Sequence, residues 1–182
     1  MINEYEGKTP ITTEPTTTST TASNDDVIST LNGLIETCKD GQDGFKEAAE
    51  GVDRSDLKSL FYEFSQQRSQ FVGELQELVR TLGGDPEKSG SVAGAIHRGW
   101  MNIKTAVTGN DDAAILNECE RGEDSAKKAY KDAIETALPA NIASTVQTQF
   151  AAVQAAHDRV KALRDAANNA PADKSNTATT SN

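Results

Sequence analysis

Residues 55–84 read SDLKSLFYEFSQQRSQFVGELQELVRTLGG. Leu57, Leu60, Phe61, Phe64, Phe71, Val72, Leu75, Leu78, Val79 and Leu82 recur at steps of three and four, the spacing that lays side chains along one face of an α-helix. Ser55 or Asp56 begins this helix, and Gly83 with Gly84 closes it as a C-terminal stop. The stripe carries one charged residue, Arg68. An arginine on a core-facing stripe needs a partner, because an unpaired buried charge costs several kcal/mol.

The same periodicity continues on both sides. Val27, Ile28, Leu31, Leu34, Ile35, Cys38, Gly41, Phe45, Ala48, Ala49 and Val52 form a seam that predicts a helix over 25–52, with Asn24 or Asp25 as its cap. About three residues separate it from the helix over 56–82, which forces an antiparallel hairpin. Further on, Ile115, Leu116, Cys119, Gly122, Glu123, Ala126, Tyr130, Ala133, Ile134 and Ala137 line a helix over 112–137. Ile142, Val146, Phe150, Val153, His157, Val160 and Leu163 line another over 140–166, with Pro139 where it begins. The segment from Gly83 to about residue 110 is too long for a hairpin loop but can cross the roughly 40 Å length of the second helix, so the second and third helices run parallel. Within it, SVAGAIHRGWMNIKTAV (91–107) reads as a shorter helix capped by Ser91 and ended by Gly109. The predicted fold class is all-α: two antiparallel hairpins joined by one long crossover, which is the ferritin-like four-helix topology.

Residues 1–24, with Thr16, Thr17, Thr18, Ser19, Thr20 and Thr21 in a run, and residues 168–182, with Pro171, are read as disordered tails around a bundle spanning 25–167. A chain of 182 residues that is 36% hydrophobic fills one core rather than two. Its 18 basic against 28 acidic residues give a formal charge of -10, which opposes binding to phosphate backbones and anionic lipid, so neither nucleic acid nor membrane is expected as a partner. With no signal-like start and no run of ~20 apolar residues, a cytoplasmic protein is expected. Cys38 and Cys119 lie far apart in periodic segments, matching neither a disulfide framework nor a paired-cysteine zinc motif.

Each helix interrupts its apolar seam near the middle: Cys38 in the first, Arg68 in the second, Glu123 in the third, His157 in the fourth. Four interruptions at one level predict a shared buried polar layer, with Glu123 as the partner of Arg68.

These residues resemble a family. DGQDGFKEAAE, QRSQF, GSVAGAIHRGW and ECERGEDSAKKAY together are similar to the PA2169-like (DUF2383) bacterial bundles of unknown function, within the ferritin-like superfamily. The resemblance spans essentially 27–167. It implies the fold rather than an activity, because fold does not fix function. In di-iron members of the superfamily the core supplies one Glu from each of two helices and a Glu-x-x-His from each of the other two. By the same resemblance, Cys38 and Glu123 stand at the single-Glu positions, Arg68 and Phe71 at one Glu-x-x-His, and Gln154 and His157 at the other. Of these, only Glu123 and His157 keep a ligand type normal for iron, and a guanidinium beside two divalent ions is electrostatically hostile. The layer is therefore read as Arg68 and Glu123 in a salt bridge flanked by Cys38, Gln154 and His157, with no catalytic residue and no cofactor.

Sharper readings stand beside this one. Cys38, Glu123 and His157 together suit iron or zinc, which would make the protein a metal-binding oxidase. Cys38 and Cys119 as a redox pair would make it a thiol sensor. Glu118, Glu120, Glu123 and Asp124 are read as spread over different helix faces rather than as a cation site. His97, Arg98 and Trp100 in the crossover form either a contact site or a clamp that docks the crossover. No phosphate loop, nucleophile elbow or paired-cysteine set is present. A non-catalytic structural or interaction module, acting as a homo-oligomer such as a dimer or with a protein partner, is the expectation.

Overall fold

The computed structural model describes residues 22–86, 100, 102–109 and 111–169. These form α1 (Asn24–Gly51), α2 (Ser55–Thr81), α3 (Ile103–Thr108), α4 (Asp112–Ile134) and α5 (Ala140–Asn169). Among the described residues, no helix is long and apolar enough to cross a membrane. Residues 1–21 and 170–182 of the predicted tails, and 91–99 and 101 of the predicted crossover helix, lie outside the described residues, while α5 runs on to Asn169, into the segment read as the second tail. Among the described residues the crossover contributes the short helix α3.

Local chemistry sets the helix ends. Ser23, rather than Asn24 or Asp25, caps α1: its backbone is extended and its hydroxyl accepts the Asp26 N–H at 3.2 Å, with Asp25 and Asp26 favourably placed in the first turn. At the end of α2, Gly83 adopts φ 78, its N–H donates to the Arg80 carbonyl, and the Gly84 N–H reaches back to Val79. That is a Schellman closure, which needs a left-handed residue and so favours glycine. α4 stops at Ile134, three residues short of the expectation, because Pro139 biases Leu138 away from helical backbone and the chain turns through Thr136.

Only Val52, Asp53 and Arg54 separate α1 from α2, and the pair packs antiparallel: Asn32 donates to the Asp85 carbonyl at one end, and Ser65 to the Gln42 carbonyl near the middle. α4 also runs against α1, since Cys38 is level with Tyr130 and Gly44 with Gly122. α2 and α4 are therefore parallel, as the long crossover requires. The bundle is all-α, two antiparallel hairpins joined by a crossover.

Its core is split. Val27, Leu31, Leu34, Ile35, Leu75, Val79, Tyr130 and Val146 belong to one apolar half, and Phe45, Phe61, Phe64, Trp100, Ile115, Leu116 and Val160 to the other. Arg68 lies between them, its Cζ 5.6 Å from the Phe71 ring of the first half and 5.9 Å from the Phe45 ring of the second. The charged layer is thus held between aromatic faces.

Candidate functional site

Arg68 and Glu123 project from the middles of α2 and α4 and are 1% and 0% exposed. Arg68 Nη2 donates to Glu123 Oε1 at 2.9 Å and Oε2 at 2.7 Å, and Nη1 donates to Gln67 Oε1 at 2.5 Å. Among the described residues, Arg68 Nε has no hydrogen-bond partner. The arginine stem lies against Gly41 on α1, where an added Cβ would be in ordinary contact, 3.4 Å from Arg68 Cγ. Burial pushes the Glu123 carboxyl up while the adjacent guanidinium pulls it back.

A second strand of the layer runs beside this pair. Tyr130 donates its hydroxyl proton to Gln149 Oε1 at 2.8 Å, which leaves the Cys38 thiol as the donor in its 3.1 Å contact with the tyrosine oxygen. Gln149 in turn donates to Glu74 Oε2 at 2.7 Å, carrying the network from the α1 core face to the α2–α5 surface. Burial pushes the Cys38 thiol from its ordinary 9.0 up to about 11, against the Tyr130 hydrogen bond and the Arg68 charge. Burial raises Cys119 and Tyr130 as well.

These raised values predict an alkaline weakness. Between pH 9.0 and about 11 the folded state keeps the Cys38 proton that the unfolded chain has lost, so stability is intact below pH 9 and falls as pH rises through that window. At 1.36 kcal/mol per unit, Cys38 alone accounts for ~3 kcal/mol. Urea midpoints measured from pH 8 to 11 should fall, and the fall should be shallower in Cys38→Ala; equal slopes would refute the assignment to Cys38.

Gln154 does not join the layer. It is exposed on α5, and Gln149, 1% exposed, takes the inward place. Gln149 lies three residues after Val146 and four before Val153, on the same stripe as both, whereas Gln154 is turned away beside Val153. His157 is buried but points along the α4–α5 seam rather than into the pair: Nε2 is 3.0 Å from Asp124 Oδ1 and Nδ1 2.9 Å from Asp158 Oδ1. Among the described residues, the donor atoms that converge within 4.8 Å are those of Glu120, Asp124 and His157, not of Cys38, Glu123 and His157. Glu120 and Asp124 share a face because they are four residues apart, which corrects the reading of that acidic run as wholly dispersed.

The redox-pair reading fails on distance. Cys38 is level with Tyr130 in one half of the core, and Cys119 lies eleven residues earlier on α4 in the other half, roughly 16 Å away at helical rise. Both thiols are free and buried.

Trp100 packs into the bundle. Its ring is 8% exposed, meets Phe45 edge-on at 5.0 Å, and fits a slot between two helical glycines. A Cβ on Gly44 would lie 2.1 Å from Trp100 Cε3, and one on Gly122 2.2 Å from Cε2. His97 and Arg98 lie outside the described residues.

The DUF2383 family, described as a domain of unknown function, matches residues 26–136. The chain belongs to the DUF2383 family. No curated protein matches it. The matched span runs from α1 to just past the end of α4 and so contains Arg68, Glu123, Trp100 and its glycine slot, while Gln149 and His157 lie on α5 beyond it.

A di-iron centre would need several carboxylates and imidazoles around an open volume. At this level the DUF2383 chain offers one carboxylate, already held through both oxygens by Arg68, beside a thiol that keeps its proton to about pH 11. Those residues do not fit the metal.

Proposed function

We propose that this protein is a non-catalytic bundle of the ferritin-like kind, a structural or interaction module in which an ion pair has replaced the di-iron site. The observation that supports this reading most is the two-oxygen grip of Arg68 on Glu123 at 2.9 and 2.7 Å, with both side chains buried. It leaves no free ligand and places a fixed positive charge where a cation would sit. Function then falls to the surface. The partner we assign is another protein, a second copy of this chain included, bound through polar helix faces; among the described residues Tyr62 is the large hydrophobic side chain that reaches solvent. The -10 charge argues against nucleic acid and anionic membranes in that role.

Mixing the reduced protein with Fe(II) in aerated buffer tests the non-catalytic claim. Iron oxidation and oxygen uptake should proceed at the protein-free rate. Accelerated oxidation that Glu123→Gln removes would overturn the reading in favour of an oxidase built on Glu123 and His157.

A further inference from the structure

We propose that Glu120, Asp124 and His157 form a binding site for a first-row divalent metal ion, zinc being the best fit, on the seam between α4 and α5. Glu120 and Asp124 stand one turn apart on α4, and His157 faces them from α5; one carboxylate oxygen of each and an imidazole nitrogen lie within 4.8 Å of one another. The side chains of Glu120 and His157 are 11% and 6% exposed, while that of Asp124 is 63% exposed. Two ligands are thus anchored in the seam and the third reaches solvent, leaving a position for water, as in three-ligand zinc sites.

The histidine is the observation that lifts this above an acidic cluster. Carboxylates stand at both of its nitrogens, Asp158 at 2.9 Å from Nδ1 and Asp124 at 3.0 Å from Nε2. In the tautomer that donates Nδ1–H to Asp158, the Nε2 lone pair confronts the Asp124 oxygen, and a cation between them satisfies both. A carboxylate on the far nitrogen is also how metal-binding histidines are oriented. Donor atoms around tetrahedral zinc, with bonds of ~2.0–2.2 Å, sit roughly 3.4 Å apart. Asp124, being exposed, has the freedom to open by that amount.

Two cations border the site. Arg164 pairs with Glu120, but it also holds Asp165 at 2.7 Å and can retain that partner when the metal takes Glu120. Lys127 Nζ is 3.3 Å from His157 Nδ1, on the side away from the metal. Glu123 below is occupied by Arg68, so the site is independent of the core pair and of the non-catalytic reading.

The test is calorimetric titration of zinc chloride into the full-length reduced protein, with histidine side-chain resonances followed by NMR. One zinc per chain is expected, moving the His157 signals and raising the melting temperature. Asp124→Asn, an exposed change that leaves the fold intact, should weaken binding at least about tenfold, as should Asp158→Asn. Arg164→Gln should tighten it, and His97→Gln should leave it unchanged. Zinc affinity equal in the wild type and Asp124→Asn, or His157 signals that do not respond to zinc, would overturn the site.

Discussion

Glu123→Ala is expected to destabilise the bundle by about 3–5 kcal/mol, among the largest effects available to a single substitution here. The loss comes from what is left behind. Arg68 is 1% exposed, its Nη2 would lose both carboxylate oxygens, its Nε already lacks a partner, and the aromatic faces of Phe45 and Phe71 cannot replace a counter-charge. Removing both charges should behave differently. Arg68→Met with Glu123→Leu fills the same volume with apolar atoms and joins the two halves of the core, so its stability should equal or exceed that of the wild type. Chemical denaturation of the two single variants and the double variant gives the coupling directly. A Glu123→Ala protein within about 1 kcal/mol of wild type would mean that water or another group reaches Arg68 in the variant, and the account of a stranded buried charge would fail.

Gly122→Ala should produce a loss of similar size by a steric route. The new methyl would lie 2.2 Å from Trp100 Cε2, inside the ring's own contact distance, and the opposite wall at Gly44 is close enough that a Cβ there would lie 2.1 Å from Cε3, so the indole has little room to shift within the slot. Either the helices part or the ring leaves. Expelling it approaches the cost of truncating a buried tryptophan, about 3 kcal/mol or more, and frees the crossover from α1 and α4. Trp100 is the chain's single tryptophan, so its emission reports the event without labelling. The spectrum should shift to the red in Gly122→Ala and in Gly44→Ala, whereas Gly73→Ala, where an added Cβ meets nothing within 4 Å, should leave it unchanged. An unshifted spectrum in Gly122→Ala would contradict the slot.

The two effects concern different tasks. The ion pair sets how α2 and α4 register at the centre of the bundle, while the tryptophan slot fixes the crossover that makes those helices parallel. Both devices lie within the span shared with the DUF2383 family. The proposed zinc site depends on α5 and lies outside it.

Much of this was legible without coordinates. Helical periodicity requires only that apolar side chains share a face, and the three-residue link and the long crossover restrict how helices of this length can pack; the two hairpins and parallel α2 and α4 follow. Arg68 identified its own partner, because a charge on an apolar stripe must find an opposite charge at the same level, and Glu123 was the acid available there. Gln149 is legible from its place between Val146 and Val153, whereas the resemblance to a Glu-x-x-His pattern points to Gln154, whose spacing from His157 is right and whose face is wrong.

Other features belong to the tertiary structure alone. Glycine carries no side chain to signal a contact, so nothing in Gly44 or Gly122 announces that each is a wall of the Trp100 slot. The direction in which His157 points is set by the rotation of α5 against α4, which brings together Asp124 and Glu120 from a helix 33 and 37 residues away in sequence. The sequence by itself determined which faces are buried, since that depends on period and hydrophobicity within each helix. Which side chains meet across those faces was decided only by packing, because axial shifts of a few ångströms change every partner while leaving each helix's own pattern intact.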